Sequence, residues 1–194
     1  MAGKLIVLYG INNLGKSTQA KLLVDRLQQA GYSAIYLKYP IYELEPSGPL
    51  LNDYLREGNP LQLLPREAQI IYALNRFQYQ PELEKQLAAG QWVIAEDYTG
   101  TGLAWGWGAG AKLNFLEAIN QGLHQPDLAL WLDGERFLSG IEQNHKHESN
   151  NELMNKVRDC HRQLAERYGW PRFDANQAVD PLNEQLWQAI KALF

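Results

Sequence analysis

Gly10, Gly15, Lys16 and Ser17 stand in the stretch YGINNLGKST with the spacing G-x-x-x-x-G-K-[ST]. These residue types at this spacing suit phosphate binding. The glycines let the backbone curl so that its N–H groups face anionic oxygens. A helix opening at this loop adds partial positive charge at its N-terminus. The Lys16 ammonium is expected to reach the β- and γ-phosphates of a nucleoside triphosphate, and the Ser17 hydroxyl to coordinate Mg2+. ATP is the expected nucleotide, bound by Gly10, Asn12, Asn13, Leu14, Gly15, Lys16, Ser17 and Thr18. The loop itself carries no carboxylate.

Two acids do close the run WVIAED, Glu96 and Asp97. Beside bound phosphates they repel an anionic ligand unless a metal ion or cations intervene. One of them is therefore expected to work through Mg2+, directly or through its water. The other is left to meet a hydroxyl of the acceptor or to act as a base. A hydroxyl acceptor needs a base; an acceptor that is already a phosphate needs one much less. Tyr39, Tyr98, Trp105 and Trp107 offer an aromatic wall for a flat base. His145 and His147, in HKHESNN, lack a third metal ligand at useful spacing, so that stretch reads as a solvated lid.

These groups need elements to hold them. LIVLY (5–9) is a short apolar run closed by Gly10, which suits a strand buried on both faces. Ala20, Leu23, Val24 and Leu27 then recur at helical spacing, and Gly31 supplies the stop. AIYLKYP, WVIAED, DLALWLD and RFDA give four further strands. Between them, helical patterns run near LLNDYLR, from Pro65 to Ala89, from about Lys112 to Gln121, along the stripe Leu153–Val157–Cys160–Leu164–Tyr168, and over 181–194. A short helix is expected over 135–142. YTGTGLAWGWGAGAK, rich in glycine and tryptophan, reads as a loop. Strands alternating with helices predict an α/β fold, a parallel five-stranded sheet with helices on both faces. Ligands in such sheets bind beyond the carboxyl ends of the strands. Here those ends carry Gly10, Tyr39–Pro40, Glu96–Asp97, Asp133 and Asp174.

The 194 residues suffice for one domain with a sizeable core, and 45% apolar with 21% charged residues is ordinary for a globular chain. A net charge of −4 without any basic run gives no support for binding long nucleic acid. The single cysteine, Cys160, rules out an intrachain disulfide and fits a cytoplasmic protein. No apolar run reaches the ~18 residues of a membrane span. The short apolar run of MAGKLIVLYG reads as a strand rather than a signal peptide.

Taken in order, the segments GINNLGKSTQAKLLVDRL, YLKYP, PSGPLLNDYL, IIYALNRFQ, VIAEDYTGTGLAWG, LALWLDGE and ELMNKVRDCHRQLAERYGW–FDANQ resemble thymidylate kinase over nearly the whole length. The resemblance implies a P-loop kinase fold over residues 1–194, a short lid at about 143–151 and a homodimer. It implies ATP-dependent phosphorylation of a nucleoside monophosphate, dTMP foremost. It makes Arg76 the arginine of the acceptor phosphate and matches Glu96 to the family's aspartate, hence to Mg2+. Tyr39, Pro40, Arg76, Asp97, Tyr98 and Trp105 then fall to the acceptor, and Lys146 becomes the lid's cation, with Arg136 and Arg158 as nearby alternatives. The chain departs from the family at three places. Tyr9 and Asn12 stand where the family has acids, and Asp97 stands where it has the arginine of an Asp-Arg pair. Those departures keep two other readings open: a deoxynucleoside kinase, or a nucleotide-binding regulatory protein with little turnover.

Overall fold

The computed structural model describes residues 2–137 and 151–194. Five strands, β1 (Leu5–Tyr9), β2 (Ala34–Lys38), β3 (Trp92–Glu96), β4 (Leu128–Asp133) and β5 (Arg172–Asp174), form one sheet in the order β2-β3-β1-β4-β5. Every pairing is parallel. Seven helices are described with them: α1 (Lys16–Gln29), α2 (Ser47–Arg56), α3 (Pro65–Ala88), α4 (Thr99–Gly108), α5 (Leu113–Ile119), α6 (Asn151–Tyr168) and α7 (Val179–Lys191).

The continuous apolar run of β1 follows from its place at the centre of this sheet, covered on both sides. Ile6 and Leu8 pack with Leu23 and Leu27 of α1 and Leu186 and Ile190 of α7. Leu5, Val7 and Tyr9 point the other way, onto Leu83 and Leu87 of α3. The register sets Leu8 opposite Glu96, and Lys38 opposite Glu96 on the other side. The carboxyl ends of β1, β2 and β3 therefore finish side by side. Where α3 begins, Pro65 occupies the first turn, and the Glu67 carboxylate reaches back to accept the Leu64 N–H at 2.7 Å.

Two expectations need correction. Residues 99–108, read from their glycines and tryptophans as a loop, form helix α4. Glycine costs a helix about 1 kcal/mol per residue relative to alanine, so packing must hold this one. Ideal Cβ atoms at Gly100, Gly102, Gly106 and Gly108 would lie 2.5 Å from Trp170, 2.9 Å from Arg76, 2.6 Å from Leu116 and 2.8 Å from Val157. Each missing side chain lets a neighbour press against the helix. The second correction concerns 135–142: residues 135–137 are not helical, and 138–142 lie outside the described residues. The expected lid at 143–150, with Lys146, His145 and His147, also lies outside them, and Asn151 already belongs to α6.

Candidate active site

The loop between β1 and α1 is shaped by two glycines at positive φ. Gly10 (φ 141°) approaches the backbone of β4 so closely that a Cβ would lie 2.4 Å from the Leu132 carbonyl oxygen. Gly15 (φ 78°) turns the chain into α1. Leu14 sends its side chain down into the core, which anchors the loop from below. Asn12, Asn13, Gly15, Lys16, Ser17 and Thr18 line a cavity of about 290 Å³. Lys16 is 4% exposed, and its Nζ donates to the carbonyls of Gly10 (3.0 Å) and Ile11 (2.8 Å).

Beside it, the Ser17 hydroxyl donates to Glu96 Oε2 at 2.6 Å. The Tyr36 hydroxyl donates to the same oxygen, and Lys38 Nζ lies 3.1 Å from Oε1. Burial pushes the Glu96 carboxyl up, but the charges of Lys16 and Lys38 and the two hydroxyl donors outweigh it. The group is held below the usual glutamate range and is ionised. Among the described residues no three acidic, histidine or cysteine side chains cluster closely enough to hold a metal ion. A cation here would rest on Ser17, Glu96 and phosphate oxygens, a hard oxygen set that fits Mg2+.

Asp97 adopts φ 62°, a left-handed conformation that costs a non-glycine residue roughly 1–2 kcal/mol. Two bonds fix it there: its N–H donates to the Leu8 carbonyl at 3.2 Å, and Thr101 donates to Oδ1 at 2.8 Å. Lys16 Nζ lies 3.6 Å from the same oxygen. Burial and the neighbouring Glu96 raise the Asp97 pKa against the pull of Lys16.

Arg76 projects from α3 into the same cavity and is 3% exposed. Its Nε donates to Asn120 Oδ1 at 3.1 Å and its Nη1 to the Tyr98 carbonyl at 3.4 Å. Its Nη2 has no hydrogen-bond partner among the described residues, and no carboxylate there pairs with it. Burial lowers its pKa to about 10, so it is still charged at neutral pH. The hydroxyls of Tyr39 and Tyr98 and the Gln69 Oε1 are likewise buried without partners among the described residues. All four side chains line the cavity. Buried polar atoms are nearly always bonded, so this cluster has the character of a site waiting for a polar ligand.

The aromatic wall is partly as expected. Tyr39, Pro40, Tyr98 and Trp105 line the cavity, with Tyr39 and Tyr98 rings 5.0 Å apart. Trp107 does not line it and packs against the main core instead. Arg158, an alternative lid cation, is engaged by Asp133 (2.7 Å) and Glu135 (2.8 Å), while Arg136 donates to Asn151 at 3.0 Å. Tyr9, in place of an acid, is buried against Trp170 at 4.4 Å, with its hydroxyl 3.3 Å from Thr99.

Several lining residues escaped the sequence reading, namely Lys38, Arg56, Gln69, Tyr72, Asn75 and Thr101, as did the contact of Tyr36 to Glu96. Some left a signal. Gln69 and Tyr72 fall at helical spacing with Arg76 on α3. Asn75, fully buried, bonds both backbone groups of Ile41 at 2.8 Å and so pins the loop after β2 to α3.

A family model described as thymidylate kinase matches residues 8–186. The thymidylate kinase of Synechococcus sp. strain RCC307 is 33% identical, covering 98% of this chain and 97% of its own. The human thymidylate kinase is 30% identical, covering 95% and 88%. Among solved structures, the thymidylate kinase of Candida albicans superposes with a TM-score of 0.86 at 24% identity, covering 98% and 92%; that likeness speaks for the fold.

Proposed function

This chain belongs to the thymidylate kinase family, and from that membership we infer that it transfers the γ-phosphoryl group of ATP to dTMP, giving dTDP and ADP. One observation carries the reading to this chain's own residues. The phosphate loop and the Arg76 Nη2, which has no hydrogen-bond partner among the described residues, open on one cavity, so a donor and an anionic acceptor can meet there. Phosphoryl transfer asks the protein mainly for alignment and for cations around the transferring group.

In this proposal the loop amides and Lys16 hold the donor phosphates. Arg76 holds the acceptor, its planar fork suited to a bidentate contact. Tyr39, Tyr98 and Trp105 flank the base. Ser17 and Glu96 would hold Mg2+, which when bound neutralises charge on the donor phosphates. The ionised state of Glu96 supports that role. Residues 1–194 form one nucleotide kinase domain in this reading. No helix among the described residues is long and apolar enough to cross a membrane, and a cytoplasmic location is part of the proposal.

A homodimer belongs to it too. Ile70, Leu74 and Phe77 stand at helical spacing on α3 and are 49%, 41% and 38% exposed. An apolar stripe of this kind marks an interaction face. In sedimentation velocity the wild type runs as a dimer and Leu74→Asp as a monomer. A monomeric wild type refutes the dimer.

The function is tested with ATP, Mg2+ and a panel of nucleoside monophosphates, following ADP and diphosphate formation. Turnover with dTMP is expected. Nucleotide binding without turnover on any acceptor sinks the reading.

A further inference from the structure

The acceptor assigned above does not use Asp97. A dTMP phosphate oxygen is already an anionic nucleophile and needs no base. A carboxylate facing it is a liability, since like charges repel. Yet the fold secures this one with care. Asp97 is locked in a left-handed conformation by its N–H bond to Leu8, and its side chain is fixed by Thr101. The residue lines the cavity, with Oδ1 3.6 Å from the Lys16 Nζ that is to meet the transferring phosphoryl group. A carboxylate in that position is matched to an acceptor whose nucleophile carries a proton.

We propose that this chain also phosphorylates the 5′-hydroxyl of thymidine, with Asp97 as the general base. The proposal rests on the acceptor cavity assigned above. The 5′-oxygen attacks the γ-phosphorus of ATP and forms the new P–O bond. The bond from that phosphorus to the β–γ bridging oxygen breaks, and ADP leaves with the electron pair. The hydroxyl proton passes to the Asp97 carboxylate and from there to solvent. The product, dTMP, is the acceptor of the first reaction, so both steps would use one cavity. Arg76 is idle toward the 5′ end in the nucleoside reaction and still offers its Nη2 donor to the ligand.

The test compares wild type and Asp97→Asn with ATP, Mg2+ and either acceptor, separating dTMP, dTDP and ADP by chromatography. Asparagine keeps the shape and the bond to Thr101, and a melting curve checks the fold. Wild type is expected to turn over both acceptors. Asp97→Asn should lose thymidine turnover by ~100-fold or more and gain about three- to tenfold in kcat/KM for dTMP as the repulsion is relieved. Wild-type turnover of dTMP without thymidine overturns this proposal alone. Turnover of neither overturns it together with the assigned kinase function. Equal losses on both acceptors in Asp97→Asn reduce Asp97 to a structural residue and also overturn it.

Discussion

The Lys16→Ala enzyme turns over dTMP at least ~100-fold more slowly than the wild type. The Lys16 ammonium is bonded to the Gly10 and Ile11 carbonyls and almost wholly buried. In the proposed reaction it exchanges those carbonyls for phosphate oxygens, so the charge is already placed and partly stripped of water. Among the described residues no neighbour can replace it. Lys38 is committed to Glu96, and Arg76 stands on the acceptor side. The loss also reaches the acids, because Lys16 is the largest charge opposing burial at both Glu96 and Asp97. Both carboxyls rise without it, and the Mg2+ affinity of the site weakens at neutral pH. Single-turnover rates with saturating ATP, alongside a Mg2+ titration, measure the two effects. Wild-type rates in the Lys16→Ala enzyme remove Lys16 from the chemistry.

Arg76→Met weakens dTMP binding while leaving the ligand-free protein as stable as before, or more so. Truncating one partner of a buried charged contact costs roughly 2–5 kcal/mol, about 30-fold to several thousand-fold in affinity. A buried charge without an ionic partner contributes little to folding, and apolar replacements of buried charges are often neutral or stabilising. The change does orphan Asn120 Oδ1, although Asn120 Nδ2 keeps its 2.8 Å bond to Leu116. Calorimetric titration with dTMP and a melting curve of the free protein separate binding from stability. Unchanged acceptor affinity in the variant takes Arg76 out of the acceptor site. A collapse in melting temperature at unchanged affinity makes it a structural residue.

Local agreement explains which parts of this molecule can be read from its sequence. The β1–loop–α1 unit is legible because the apolar run, the two glycines, Lys16 and the apolar spacing after it all point the same way. Glu96 and Asp97 are legible because they close a buried strand. The contacts that define their roles are not. Tyr36 and Lys38 reach Glu96 only because β2 pairs with β3, a choice of neighbour that no local pattern encodes. Arg76 is legible only through family likeness, since a lone arginine on a long helix reads equally well as a surface group. The Trp107 assignment failed with the secondary structure beneath it. Residues 105 and 107 share a side in extended chain but lie about 200° apart on a helix, so once α4 forms, one tryptophan meets the cavity and the other the core.

The same helix reverses an intuition about mutational tolerance. In YTGTGLAWGWGAG the glycines look like filler, the least informative letters of a segment resembling a linker. In the folded chain four of them mark places where Trp170, Arg76, Leu116 and Val157 occupy the space of a side chain. Even alanine at these positions forces a shift in a packed neighbour, and at Gly102 that neighbour is Arg76, the proposed acceptor arginine. The stretch that compositional filters would mask as simple carries some of the tightest steric specification in the protein.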